Sequence, residues 1–169
     1  MDNALRIIKE LKTKGIIQDF AIGGGIAVLY YTEPLLTYDL DIYFVPIKEC
    51  LDVLTPIYSF LKKRGYKTSK EHILVEGVPV QFIPVYNELV KDAVINSRKV
   101  NYGRLKTNVV GLEYLIAIML QTYRAKDRER LGAILEETEF DSNRLRLILK
   151  KYDLYDKFKK FRSVHFGKN

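Results

Sequence analysis

The pattern of the chain changes at Gly111, and that change limits the fold more than any single motif. Upstream, strand-period and helix-period segments alternate; downstream no strand pattern remains. "LEYLIAIMLQTY", "KDRERLGAILEE", "SNRLRLILKKY" and "DKFKKFRS" instead carry apolar residues at helical spacing with charges between them. Strands confined to one part of a chain and helices to another predict an α+β protein, not an alternating parallel one. We therefore expect residues 1–110 to form a small mixed β-sheet with packed helices, and residues 111–169 a C-terminal helical bundle packed on that core. A chain of 169 residues that is 47% hydrophobic has apolar material for one core. No internal repeat and no Pro/Gly/Ser linker divides it, so one compact unit is expected.

Within the first part, Leu5, Ile8 and Leu11 mark an amphipathic helix over residues 2–14, stopped by Gly15. "IIQDFAIG" reads as a strand that runs into a glycine turn, and "GIAVLYYTEP" as a helix closed by Pro34. "YDLDIYFV" alternates with the strand period, so Asp39, Asp41 and Tyr43 share one face while Leu40, Ile42 and Phe44 share the other. Residues 48–63 predict a second amphipathic helix ending at Gly65. "HILVEGVPVQFIPV" predicts two strands around Glu76-Gly77, and "SRKVNYGRLKTNVV" another pair pinched at Tyr102-Gly103.

Two short motifs carry chemistry. Gly23 to Gly25 match neither common phosphate loop: Val28 stands where the dinucleotide fingerprint needs its third glycine, and no Gly-Lys-Ser/Thr follows. What remains is a tight strand-to-helix turn. Either its bare amides hold a triphosphate, or the missing Cβ serves packing alone. Asp39 and Asp41 on one strand face would repel each other unless a cation lies between them, and Mg²⁺ suits one or two carboxylates plus substrate phosphates. The other reading is an edge strand whose aspartates face water.

"GGGIAVL" opening a helix, followed by "LTYDLDIYF" on the next strand, resembles the nucleotidyltransferase superfamily with the DNA polymerase β type fold, in its minimal form. "LEYLIAIMLQTYRAKDRERLGAIL" is similar to the helical segment of a branch that includes abortive-infection and type IV toxin-antitoxin toxins. Together these segments span roughly residues 20–135. The resemblance implies that Gly24 and Gly25 approach the nucleotide phosphates, and that Asp39 and Asp41 bind the metal and carry catalysis. It also implies that Thr37 shapes the loop before them and that Lys126 or Asp127 lines the same cleft. The reaction would be in-line attack of a hydroxyl on RNA, protein or a small molecule on the α-phosphate of a nucleoside triphosphate. An antitoxin-like protein would be a partner of a toxin.

The pattern also breaks. Active members of the superfamily usually carry a third carboxylate on a later strand, where this chain has Gln81, although some work with two, and the toxin-like branch often has a lysine where Met119 stands. An amide is neither a base at neutral pH nor a strong Mg²⁺ ligand. Glu76 is the nearest acid in sequence. An enzyme that uses other residues, a degenerate fold that binds nucleotide without turnover, and a scaffold for another chain all remain open.

Charge is uneven. Residues 144–169 hold nine Lys/Arg against two Asp, whereas residues 1–143 hold nineteen of each sign, so the tail accounts for the whole net charge of +7. Such a segment either guides RNA or forms a solvated helix face. Leu154, Phe158 and Phe161 share a helical face that should pack, while Tyr152 and Tyr155 either pack or stack on bases. His72 and His165 are expected to be structural or exposed. The lone Cys50 reads as a small buried hydrophobe and excludes an intrachain disulfide. No run reaches the length of a membrane span and the amphipathic start is unlike a signal peptide, so a cytoplasmic protein without membrane contact is expected.

Overall fold

A computed structural model describes residues 1–32, 37–48, 51–69 and 71–167; Pro34 and Cys50 lie outside the described residues. The order is α1 (Asp2–Thr13), β1 (Ile17–Ile22), α2 (Gly24–Leu29), β2 (Leu40–Pro46), α3 (Thr55–Lys62), β3 (Lys67–Ser69), β4 (His72–Val75), β5 (Val78–Pro84), α4 (Glu88–Ile95), β6 (Arg98–Tyr102) and β7 (Leu105–Val109). Four helices follow: α5 (Leu112–Thr122), α6 (Ala125–Glu137), α7 (Ser142–Lys151) and α8 (Tyr155–Phe166). The architecture is α+β with a mixed sheet, as the pattern change at Gly111 predicts.

The sheet has seven strands in the order β3-β4-β5-β2-β1-β7-β6. β2 lies at its centre, antiparallel to β1 and parallel to β5. Its alternation is realised: Leu40, Ile42 and Phe44 are fully buried on one face, which leaves Asp41 and Tyr43 to the other. The hairpins turn at Glu76-Gly77 and at Gly103, as expected.

Three elements differ from the sequence reading. The helix expected over 48–63 begins only at Thr55, because Pro56 cannot lie inside a helix and suits its first turn; the Asp52 carboxylate accepts the Thr55 N–H at 3.0 Å. α4 escaped notice because its eight residues are short for a periodicity argument, although Asn87 caps it by accepting the Val90 N–H at 2.9 Å. β3 is a three-residue, wholly exposed edge strand with no apolar alternation to detect.

α5 joins the two parts of the chain. Residues Leu112 to Leu120 are all buried, with α2, α4, α6 and α7 packed around them. One of them is a carboxylate: Glu113 accepts the Asp141 N–H at 3.2 Å and lies 3.7 Å from Arg98 and 3.8 Å from Arg144. Burial of that charge is compensated from β6 and α7 at once. In the tail, Leu154, Phe158 and Phe161 are buried, as their shared face predicts. The Tyr152 hydroxyl is tied to Asp92, and His165 stacks on Phe161, a structural role. No helix among the described residues is long and apolar enough to cross a membrane.

Candidate active site

The three glycines have three different tasks. The Gly23 N–H donates to the Asp41 carbonyl at 2.9 Å, which locks the start of the turn to β2; a Cβ there would enter the Tyr43 ring. Gly24 has φ +54° and lies directly under the Asp41 carboxylate, so a side chain would be strained in backbone and in space together. At Gly25 a Cβ would come within 2.5 Å of Thr37 Oγ1 and 2.8 Å of Arg130 Nη2. The turn thus draws a strand carboxylate, a loop hydroxyl and a distant guanidinium onto bare backbone. α2 has only six residues, so its dipole is small, and the charge in the site comes from side chains.

These groups open into a cleft of about 470 Å³ between β2, β5 and the α5–α6 corner. Asp41, Gly24 and Gln81 line it together with Lys126 and Arg130. Lys126 and Arg130 are four residues apart on α6 and therefore share a helix face. Tyr43, Ile83, Leu115 and Ile118 provide an apolar floor. Such a cavity, apolar and polar in about equal parts and with a few convergent charges, has the size a nucleotide-sized ligand needs.

Burial pushes the Asp41 carboxyl above its usual range, and Asp39 adds to the rise; Lys126, Arg130 and His72 oppose it without reversing it. A raised carboxyl pKa makes ionisation costly in the folded state. Stability is then greatest while Asp41 is protonated and falls as pH rises from about 4 through the folded value. Asp41→Asn should therefore raise the melting temperature of the ligand-free protein by roughly 2–4 °C at pH 7, and the gain should vanish near pH 4. Thermal melts of both forms across that range check it.

The other expected residues divide. Thr37 closes on Gly25 as described. Asp39 precedes β2, is 53% exposed, and lies 3.8 Å from His72 Nε2; it reaches Asp41 electrostatically and is not part of the cleft wall. Gln81 is the register partner of Asp41 on β5. Its Nε2 points to Glu71 Oε2 at 3.4 Å, an acid from the β3–β4 turn. Glu76 instead accepts from the Tyr66 hydroxyl at 2.6 Å. Met119 lines the cleft.

Asp127 also lines the cleft, yet its oxygens are engaged. It accepts from Thr122 Oγ1 at 2.7 Å, from the Arg124 backbone N–H at 3.2 Å and from Arg124 Nε at 2.8 Å, closing the first turn of α6. Burial alone would push its carboxyl up, but the Arg124 and Thr122 hydrogen bonds hold it below the usual range. Arg130 and Arg124 escaped the sequence reading, although the spacing of Lys126 and Arg130 could have flagged the first.

Among the described residues no group of three or more His, Cys, Asp or Glu is placed to hold a metal. The candidate donors are Asp41 and Asp39, and two carboxylates would suit Mg²⁺ completed by substrate phosphates.

The backbone is similar to an antigenic nucleotidyltransferase-like protein from Paracoccidioides brasiliensis, with 14% identity, a TM-score of 0.55, and 93% of this chain and 90% of that one covered. It is also similar to the antibiotic-resistance factor ANT(2'')-Ia, with 12% identity, a TM-score of 0.51, and 98% and 96% covered. This chain has a nucleotidyltransferase-like fold. Neither a protein-family model nor a curated protein matches the sequence, and at these identities the likeness concerns the nucleotidyltransferase fold alone.

Proposed function

We propose that the protein is a Mg²⁺-dependent nucleotidyltransferase that moves a nucleoside monophosphate from a nucleoside triphosphate to a hydroxyl acceptor. One observation carries the reading: Asp41, desolvated over Gly24, shares a nucleotide-sized cleft with Lys126 and Arg130. A partly desolvated carboxylate with two cations beside it is suited to a ligand that brings both a cation and phosphates. Asp41 and Asp39 would hold Mg²⁺. The bare backbone of Gly24 and Gly25 allows close approach of phosphates, Lys126 and Arg130 neutralise them, and Thr37 fixes the loop above Gly25. Magnesium, when bound, stabilises charge on the attacking and leaving oxygens. The apolar floor receives the uncharged part of the nucleotide.

The acceptor is a hydroxyl on RNA, protein or a small molecule, and the nine cations of residues 144–169 favour RNA. A toxin role with an antitoxin-like protein partner in the cytoplasm follows from the resemblance of residues 112–135 alone. The second reading, a degenerate fold that binds nucleotide without turnover, is favoured by the amide of Gln81 beside Asp41.

Calorimetric titration with ATP, GTP, CTP and UTP, with and without Mg²⁺, tests the site. The expected result is binding that requires Mg²⁺ and is weakened at least about 30-fold by Asp41→Asn and about tenfold by Lys126→Ala, from loss of charge-assisted contacts. Binding that is indifferent to Mg²⁺ and to both substitutions would remove the metal site. Binding as expected, without pyrophosphate release in the presence of bulk RNA, cellular protein or small-molecule extract, would leave the non-catalytic reading.

A further inference from the structure

The cleft has a direction, and strand register sets it. Asp41 on β2 pairs with Gln81 on β5, and two residues further along these parallel strands Tyr43 pairs with Ile83. All four line the cleft, so its floor changes from polar to largely apolar over about 7 Å, the advance of two residues along one strand face. Tyr86 follows just beyond the end of β5 and lines the cleft as well. Its hydroxyl lies within electrostatic reach of Arg124 and Asp127, so the ring extends from the β5 side towards the α5–α6 corner. Two aromatic rings therefore line the cleft, and they differ. Tyr43 is only 7% exposed and packs against the bare backbone of Gly23. Tyr86 is 52% exposed, and among the described residues no ring or cation rests on it. Other tyrosines already carry cations: Lys157 and Arg128 lie over Tyr123 at 4.4 and 5.4 Å, Lys150 and Lys159 over Tyr155 at 5.8 and 5.1 Å, and Lys151 over Tyr152 at 5.2 Å. The stacking candidates of the tail are thus covered, whereas an uncovered ring stands in the cleft. Near it, Thr122 and Arg124 both donate to Asp127, at 2.7 and 2.8 Å, so the polar groups of this corner engage one another.

We propose that Tyr86 is the platform on which the base of the bound nucleotide stacks, and that the site holds the base by its aromatic face and not by its edge. The consequence is breadth: all four nucleoside triphosphates bind, purines ahead of pyrimidines, because every base offers a π-face. This rests on the nucleotide reading above, with the phosphates held beside Gly24, Lys126 and Arg130.

The test compares ATP, GTP, CTP and UTP with tripolyphosphate, which brings the phosphates without sugar or base, each titrated with Mg²⁺ into the full chain. The expected result is that tripolyphosphate binds and every nucleotide binds more tightly, ATP and GTP about threefold ahead of CTP and UTP. Tyr86→Ala should weaken ATP and GTP about tenfold, the effect of one lost stack, and leave tripolyphosphate unchanged; Tyr86→Phe should bind like wild type. In the wild-type complex the adenine H8 and H2 protons should move upfield under the ring current of the tyrosine, and in Tyr86→Ala they should not. Unchanged ATP affinity in Tyr86→Ala, or an equal loss for ATP and tripolyphosphate, would overturn the platform while the phosphate site stands. Absence of binding by tripolyphosphate and by every nucleotide would overturn the nucleotide reading and the platform with it. An unaltered melting temperature of Tyr86→Ala shows that folding is not the cause.

Discussion

Gly24→Ala is expected to lower the melting temperature by about 5–15 °C and to abolish Mg²⁺-dependent nucleotide binding. The left-handed backbone at φ +54° costs alanine about 1–2 kcal/mol. A Cβ there would also meet Asp41 Cγ at 2.6 Å and Cβ at 2.9 Å as well as the carboxylate itself, so no simple swing of a flexible tip relieves it. Overpacking of that kind costs a further 1–3 kcal/mol or so, and each kcal/mol is worth roughly 2–4 °C in a chain of this length. The two costs can be separated. In a cycle with Asp41→Ala, the clash with the carboxylate should disappear from the double variant while the Cβ contact and the backbone part remain, giving a loss smaller than the sum of the single losses by about 1 kcal/mol or more. Strictly additive losses in denaturant titrations would show that Asp41 does not rest on Gly24.

The second large effect concerns Asp127, which the sequence offers as a cleft residue and which the structure places at the start of α6. Asp127→Ala removes one acceptor from Thr122 and Arg124 together. It should cost about 2–3 kcal/mol, the sum of a lost helix cap and a charge-assisted bond to a largely exposed guanidinium. The pH dependence has a definite sign. Because the folded pKa is depressed, the contribution is complete above the unfolded value of about 4 and is lost as pH falls through the folded one. Wild type and variant should therefore converge in stability between about pH 4 and 2, which denaturant titrations at stepped pH measure. A gap that persists unchanged to pH 2 would mean that packing, not the charge, gives Asp127 its role.

How much of this was legible depends on whether the signal was local. The alternation around Asp41, the glycine turn and both hairpins are patterns of a few residues, and they appear in the structure where the chain announces them. α3 was placed too early because apolar periodicity ran on through the positions before Pro56, a residue that suits the first turn of a helix and not its interior. The cleft itself was only half legible. Asp41 and the glycines lie within one strand-turn-helix unit, but Arg130 reaches Gly25 from the far end of the α5–α6 corner, and nothing near either residue encodes that approach. Asp39 and Asp41 look equivalent as a doublet; the start of β2 falls between them, leaving one exposed and the other desolvated. Gln81 is the reverse case, since its place beside Asp41 was implied by the family resemblance and holds in the register.

The contact of Gly25 with Arg130 joins positions roughly a hundred residues apart, so the cleft is a seam between the early and late parts of the chain. A ligand seated across it closes a long loop without a covalent bond, and most of the entropy of that closure is already spent in the folded protein. Occupancy should then show less as a change of shape than as a change of lifetime. The helices beyond Gly111 would detach from the sheet more rarely, and a protease that waits for that opening would cut more slowly in proportion to the bound fraction.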